Sequence, residues 1–324
     1  LGDLGTGDIA VTNAADVTFS STVDADNFTQ VAGTGTTLFS GLIDLSSNFA
    51  FTGNVLTISG VGTNDVDGTM TVTNAGLFTL SENAVLTPGG AFVQNGAGSN
   101  VIGDDITGGS SILFTRAVVL TSGTADDTIV FTSGGAAGQD ITFSSTLGNA
   151  DNESVRFDAG AAGDVVISGA LGDLGTGDIT VTNAADVTFS STVDADNFTQ
   201  AAGTGTTLFS GTLDLASNFD FTGAALTLSG AGNTVDGTFE VTNAGVFTTD
   251  DSADITVVGE FVQNGAGNSV IGADLTSSSD GFAFGTNVTL TSTDAIRIQT
   301  GEGAGDDVVI SGTLTGTDDD LTID

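Results

Sequence analysis

In 324 residues the chain carries 41 acidic side chains against three basic ones, for a formal net charge of −38, and it has no His, Cys, Tyr or Trp. That balance excludes nucleic acid and anionic membrane as partners, because phosphate recognition needs clustered Lys and Arg, and it leaves no disulfide to form. No apolar run approaches the roughly 18 residues of a membrane helix, and an outer-membrane barrel would need aromatic girdles that a chain without Tyr and Trp cannot build.

Taken in order, the chain shows strand periodicity almost everywhere, with apolar residues at i and i+2 and β-branched residues and Gly between them. In the first half these pairs start at Ile9, Phe28, Phe49, Met70, Phe92, Ile112, Ile129 and Val155. Most are followed by a second short strand, as at Val17-Thr18-Phe19, Leu56-Thr57-Ile58, Val118-Val119-Leu120 and Val165-Val166-Ile167, and often by a third fragment such as Ser145-Thr146-Leu147. The second half repeats the pattern from Ile179, Phe198, Phe219, Phe239, Phe261, Phe282, Ile296 and Leu321. A beat of about 21 residues holding two or three strands describes one coil of a β-solenoid, so the spacing predicts an all-β, parallel solenoid of about sixteen turns. One residue of each apolar pair faces inward, with Phe28, Phe49, Phe92, Phe198, Phe219 and Phe261 stacked inside. A row of β-sandwiches also fits short strands with turn signals, but gives no reason for the beat. Thr12-Asn13, Thr73-Asn74, Asn95-Gly96, Asn243-Ala244 and Asn264-Gly265 mark corners, where the backbone turns tightly or takes positive φ.

The halves are copies. Leu171 to Ser210 repeats Leu1 to Ser40 with two changes, Ala10 to Thr180 and Val31 to Ala201, and Phe92 to Gly98 returns as Phe261 to Gly267. Residues 1–170 therefore form one solenoid repeat unit and 171–324 a second, incomplete one, expected to be continuous with the first. The chain reads as a window cut from a longer tandem array. Its final strand, Leu321-Thr322-Ile323, is expected to pair end to end with further turns, from the same chain or from another copy.

Candidate chemistry rests on the acidic clusters. Asp65-Val66-Asp67-Gly68, Asp126-Asp127 and Asp306-Asp307 nominate Asp65, Asp67, Asp126, Asp127, Asp306 and Asp307 as calcium ligands, since calcium takes six to eight oxygens and stacked Gly-Asp turns supply them. Gly303 to Val309 resembles the calcium-binding nonapeptide repeat, and Gly134 to Ile141 does so more loosely, but neither recurs every nine residues. The plainer reading is a hydrated, mutually repelling turn surface. A polysaccharide lyase would need a base such as Arg or Lys, and a hydrolase two or three converging carboxylates. Arg156 and Arg297 lie between inward residues and so point to solvent, and neither repeats. Thr286 to Thr291 suggests an ice-binding Thr array, but outward positions elsewhere mix Thr, Ser, Ala, Asp and Val. Asn27, Asn152, Asn197 and Asn287 head Asn-x-Ser/Thr sequons.

Val11 to Phe19, returning as Val181 to Phe189, and Val72 to Phe78 (Val-Thr-Asn-Ala-Gly-Leu-Phe) resemble the repeats of large bacterial surface proteins of the filamentous-haemagglutinin type and autotransporter-associated β-strand repeat proteins. The resemblance implies a right-handed β-helix, export to the cell surface or beyond, and service as a stalk, fibre or matrix filament. It transfers no binding residue, and it leaves open an adhesin or calcium-binding module that recognises glycans or surfaces. No enzyme activity is expected.

Overall fold

The computed structural model describes residues 7–123, 127–172, 177–303, 305–316 and 320–324. Most strands are triplets such as Phe28–Gln30, and most of these bury their outer residues and turn the middle one outward. A triplet is the shortest strand that puts two side chains into a core and one into water. Ser, Gly, Asp and Asn are common between the strands, where the chain bends to the next face. There is no helix among the described residues.

The chain forms two compact units, Leu1–Gly169 and Ala170–Asp324. In the first, strands beginning at Ile9, Phe28, Phe49, Met70, Phe92, Ile112, Ile141 and Val165 make one parallel sheet. A second sheet runs from Val17–Phe19 to Leu147–Asn149 and a third from Val23–Ala25 to Ser154–Asp158, each with seven strands. In the second unit the three parallel sheets begin at Ile179–Asn183, Val187–Phe189 and Val193–Ala195, again with seven strands apiece. Each coil thus contributes one strand to each face, and the units are parallel β-solenoids with turns about 21 residues apart.

The turn count is about fourteen, seven in each unit, rather than sixteen. Four of the sixteen starting points do not share a face with the others. Ile112 pairs with Ile141, not Ile129, which lies in the third sheet beside Val155; Ile296 and Leu321 pair with each other away from Phe282. Val165–Ile167 likewise belongs to the first sheet, and the fragment expected at Ser145 is the strand Leu147–Asn149. The stretch 133–140 between Thr132 and Ile141 lengthens one coil, and counting apolar pairs along the sequence cannot tell a new coil from a new face.

Register places like on like. Phe28 pairs with Phe49, Phe49 with Met70 and Met70 with Phe92, while Phe198, Phe219, Phe239 and Phe261 follow one another in the second unit. The six Phe expected inside are all buried. Stacked rings lie 4.9 Å apart at Phe28–Phe49 and 4.3 Å at Phe219–Phe239, the offset geometry that aromatic quadrupoles favour.

The core also holds amides. The second inward residue of several triplets is Gln: Gln94 Nε2 donates to Asn74 Oδ1 at 2.7 Å and Gln263 to Asn243 at 2.6 Å, and Gln30 and Gln200 accept from Thr37 and Thr207, both at 2.8 Å. The corner asparagines therefore do not work through positive φ: among the described non-glycine residues only Asn83 and Asn152 have it. Asn74 and Asn243 instead bury their amides and close the corner by donating to Gly76 and Gly245 carbonyls. Close approach of successive coils explains Gly98 and Gly267, where a Cβ would overlap the carbonyl oxygen of Gly76 or Gly245 in the preceding turn.

Candidate functional site

At the corners, backbone N–H groups leave the sheet ladders and must find other acceptors. Acidic and amide side chains of the preceding coil provide them. Asp16 Oδ1 accepts from Thr36 N at 2.8 Å and Asp186 from Thr206 N at 2.6 Å. Asp254 accepts from Asp274 N, and Asp274 in turn from Arg297 N; Asp140 accepts from Asp164 N. Asn27 accepts from Asn48 N and Asn48 from Thr69 N, a ladder that Asn197, Asn218 and Thr238 reproduce in the other unit. These contacts bridge one coil to the next, and charge-assisted bonds of this kind are stronger than neutral ones.

The six calcium candidates fall in different places. Asp65 is the outward residue of Asn64–Val66, where the Thr87 hydroxyl donates to it at 2.9 Å; Asp67 follows at the corner, its N–H bonded to Leu45 O. Asp306 Oδ2 accepts from Gly303 N at 2.6 Å and closes its own loop, while the Asp307 carbonyl accepts from Phe282 N. The aligned residue in the first unit, Gln139, does the same job by accepting from Ala136 N at 2.9 Å. An uncharged side chain thus makes the same closing bond in the first unit. Asp126 lies outside the described residues.

Asp65 lies opposite Asp44 of the preceding coil, and Asp127 meets acids across a cleft. With Glu82, Asp104 and Asp105 it lines a polar cleft of about 230 Å3 in the first unit. Burial pushes the Asp105 carboxyl above the ordinary Asp range; the hydrogen bond from Val130 N opposes this, Asp104 adds to it, Arg156 opposes it, and Asp127 adds a last contribution. Beside the cleft the Glu153 carboxylate is fully buried, accepting from Ser122 N at 2.5 Å and Asp151 N at 3.2 Å. Sequence reasoning passed over Glu82, Asp104, Asp105 and Glu153; the Asp104-Asp105 pair was visible, but nothing in the spacing brings it to Glu82. Among the described residues no three acidic side chains converge closely enough to hold a metal ion.

Arg156 and Arg297 are exposed between buried neighbours, as expected. Two equivalent shallow grooves of about 390 Å3, one beside Gly53 and Ala75 and the other beside Gly223 and Ala244, are lined by small and amide residues without a titratable group. The sequence matches no protein-family model, no curated protein and no solved structure.

Proposed function

We propose that the protein is a structural element of a bacterial surface or extracellular matrix, a stalk, fibre or filament built by stacking β-solenoid turns. The observation that carries this reading is the use made of its polar side chains: Asp16, Asp140, Asp186, Asp254, Asp274 and the Asn27–Asn48 ladder are taken up in bonds between successive coils. Main-chain ladders supply cohesion along the stack. A chain with three Lys and Arg in total gives trypsin-like proteases little to cut, which suits persistence outside a cell. Extension of the stack comes from further turns of the same chain or from copies docking end to end.

The test is immunogold electron microscopy of the native source with antibody raised against this chain. Label on thin surface or matrix filaments is the expected result; label confined to the cell interior overturns the reading. Calcium belongs to the same proposal as a bridge between carboxylates of neighbouring turns. Thermal unfolding with calcium against chelator, at one ionic strength, should show a higher midpoint with calcium, and equal midpoints would remove calcium from it.

A further inference from the structure

The sequence contains two Asn-Gly pairs, Asn95-Gly96 and Asn264-Gly265, each inside the same heptapeptide Phe-Val-Gln-Asn-Gly-Ala-Gly. In such a pair the Asn side chain can react with its own backbone, because Gly has no Cβ to hinder the approach of its nitrogen to the Asn Cγ. Both asparagines are exposed at a corner, and the two corners are built alike. Asn95 N donates to Val72 O and Gly98 N to Asn74 O; Asn264 N donates to Val241 O and Gly267 N to Asn243 O. Each amide oxygen accepts from a hydroxyl of the preceding coil, Thr73 Oγ1 to Asn95 Oδ1 at 2.6 Å and Thr242 Oγ1 to Asn264 Oδ1 at 2.5 Å. That hydroxyl draws charge from Cγ and is placed to stabilise the oxyanion that forms when Cγ is attacked.

A carboxylate separates the two. Asn264 Nδ2 donates to Glu240 Oε1 at 2.7 Å. Glu240 is an outward residue paired with Val262 of the next coil. In the first unit Thr71 holds that position, paired with Val93, so the aligned side chain there is uncharged. A hydrogen bond to a carboxylate is stronger than a neutral one, and it fixes the Asn264 side chain in one orientation. The same negative charge lies beside the nitrogen anion and the oxyanion that the reaction creates, and raises the energy of both.

We propose that Asn95 is a self-modification site, at which the folded chain converts its own amide to aspartate and isoaspartate, and that Glu240 guards Asn264 against the same reaction. The Gly96 nitrogen forms a bond to Asn95 Cγ, the Cγ–Nδ2 bond breaks, and the proton lost from the Gly96 nitrogen leaves with the ammonia. A cyclic imide remains. Water then adds to one of its two carbonyls. Opening on one side gives aspartate with the main chain restored; opening on the other gives isoaspartate, whose peptide link runs through the side-chain carbon. Nothing is oxidised or reduced. Either product adds a carboxylate where Thr73 had donated to an amide. Isoaspartate also lengthens the main chain by one carbon within the corner that the Asn95–Val72 and Gly98–Asn74 bonds pin.

The experiment ages the full folded chain in mildly alkaline buffer, where the backbone nitrogen gives up its proton more readily. Both heptapeptides are followed by proteolysis and mass spectrometry, with isoaspartate separated from aspartate by chromatography. Chain aged in denaturant supplies the intrinsic rate of each site, and folded rates are expressed relative to it. In the folded chain Asn95 should convert about fivefold faster than Asn264 or more, since a charge-assisted hydrogen bond must open before Asn264 can be attacked. Reciprocal substitutions then move the guard. Thr71→Glu should slow Asn95 to the natural rate of Asn264, and Glu240→Thr should raise Asn264 to the natural rate of Asn95. Both positions face outward, and thermal midpoints check that each variant is folded. Equal rates at the two sites of the folded chain, conversion only in denaturant, or rates that stay with their sites after the exchange overturn the proposal.

Discussion

Removing the ring of Phe219 tests the stacked core at its tightest point. The side chain is fully buried, with Phe198 at 5.0 Å on one side, Phe239 at 4.3 Å on the other, both rings nearly parallel to it, and Phe209 at 5.8 Å across the interior. Phe219→Ala forfeits the transfer energy of the ring and leaves a cavity that main-chain ladders on every side keep from collapsing. Large-to-small changes of this kind cost about 3–5 kcal/mol. The rigid surroundings place this site at the upper end, with the two stacked contacts contributing about 0.5–1.5 kcal/mol each within that total. A loss of about 4 kcal/mol corresponds to a midpoint lower by roughly 8–16 °C for a unit of this size. Because each coil touches only its neighbours, the damage should be local. Hydrogen exchange followed by mass spectrometry should show lost protection in Phe198–Gln200, Phe219–Gly223 and Phe239–Asn243, with Ser269–Ile271 and Val288–Leu290 largely unchanged. A midpoint shift below about 1 °C would refute the reasoning, since no tightly packed core loses a ring so cheaply.

Other substitutions probe the coil-to-coil contacts. Gly98→Ala and Gly267→Ala drive a methyl into the Gly76 and Gly245 carbonyls, and each should cost about 1–3 kcal/mol as an overpacked site, with the two losses equal within error by denaturant titration. Gln94→Leu strips Asn74 Oδ1 of its donor and leaves the Gly96 carbonyl without the Gln94 amide; a loss of about 1–3 kcal/mol is expected, and a neutral result would mean that the amide ladder contributes nothing to stability. Arg297→Ala removes an exposed ion pair with Asp324 at 2.9 Å. It should change stability by less than about 1 kcal/mol and less still in high salt.

Much of the fold was legible in the residues because strand geometry is local. Alternation at period two fixes which side chain of a triplet goes in and which goes out whatever the rest of the molecule does. That is why alternation alone puts Phe28, Phe49, Phe92, Phe198, Phe219 and Phe261 inside and Arg156 and Arg297 outside, where the fold has them. The same parity, applied to Phe28-Thr29-Gln30 and Phe92-Val93-Gln94, would have buried Gln30 and Gln94 as well; the expectation that only apolar residues turn inward hid them.

The candidate site was legible only as composition. Asp65, Asp67, Asp127, Asp306 and Asp307 stand out as acids in turns, but their employment depends on the coil above or below. Asp306 closes its own loop, Asp65 stacks on Asp44, and Asp127 meets Glu82, Asp104 and Asp105 across a cleft. Each of these partners is separated by the length of at least one corner, and corners vary where strands do not. The same freedom put Ile129 and Val155 on the third face and reduced sixteen expected turns to fourteen. The sequence by itself determined that this chain coils, which side chains fill it, and that it does so twice; only the tertiary structure decided which coil rests on which, because register is set by closure of whole turns and by the energy of packing Phe on Phe, neither of which any short stretch contains.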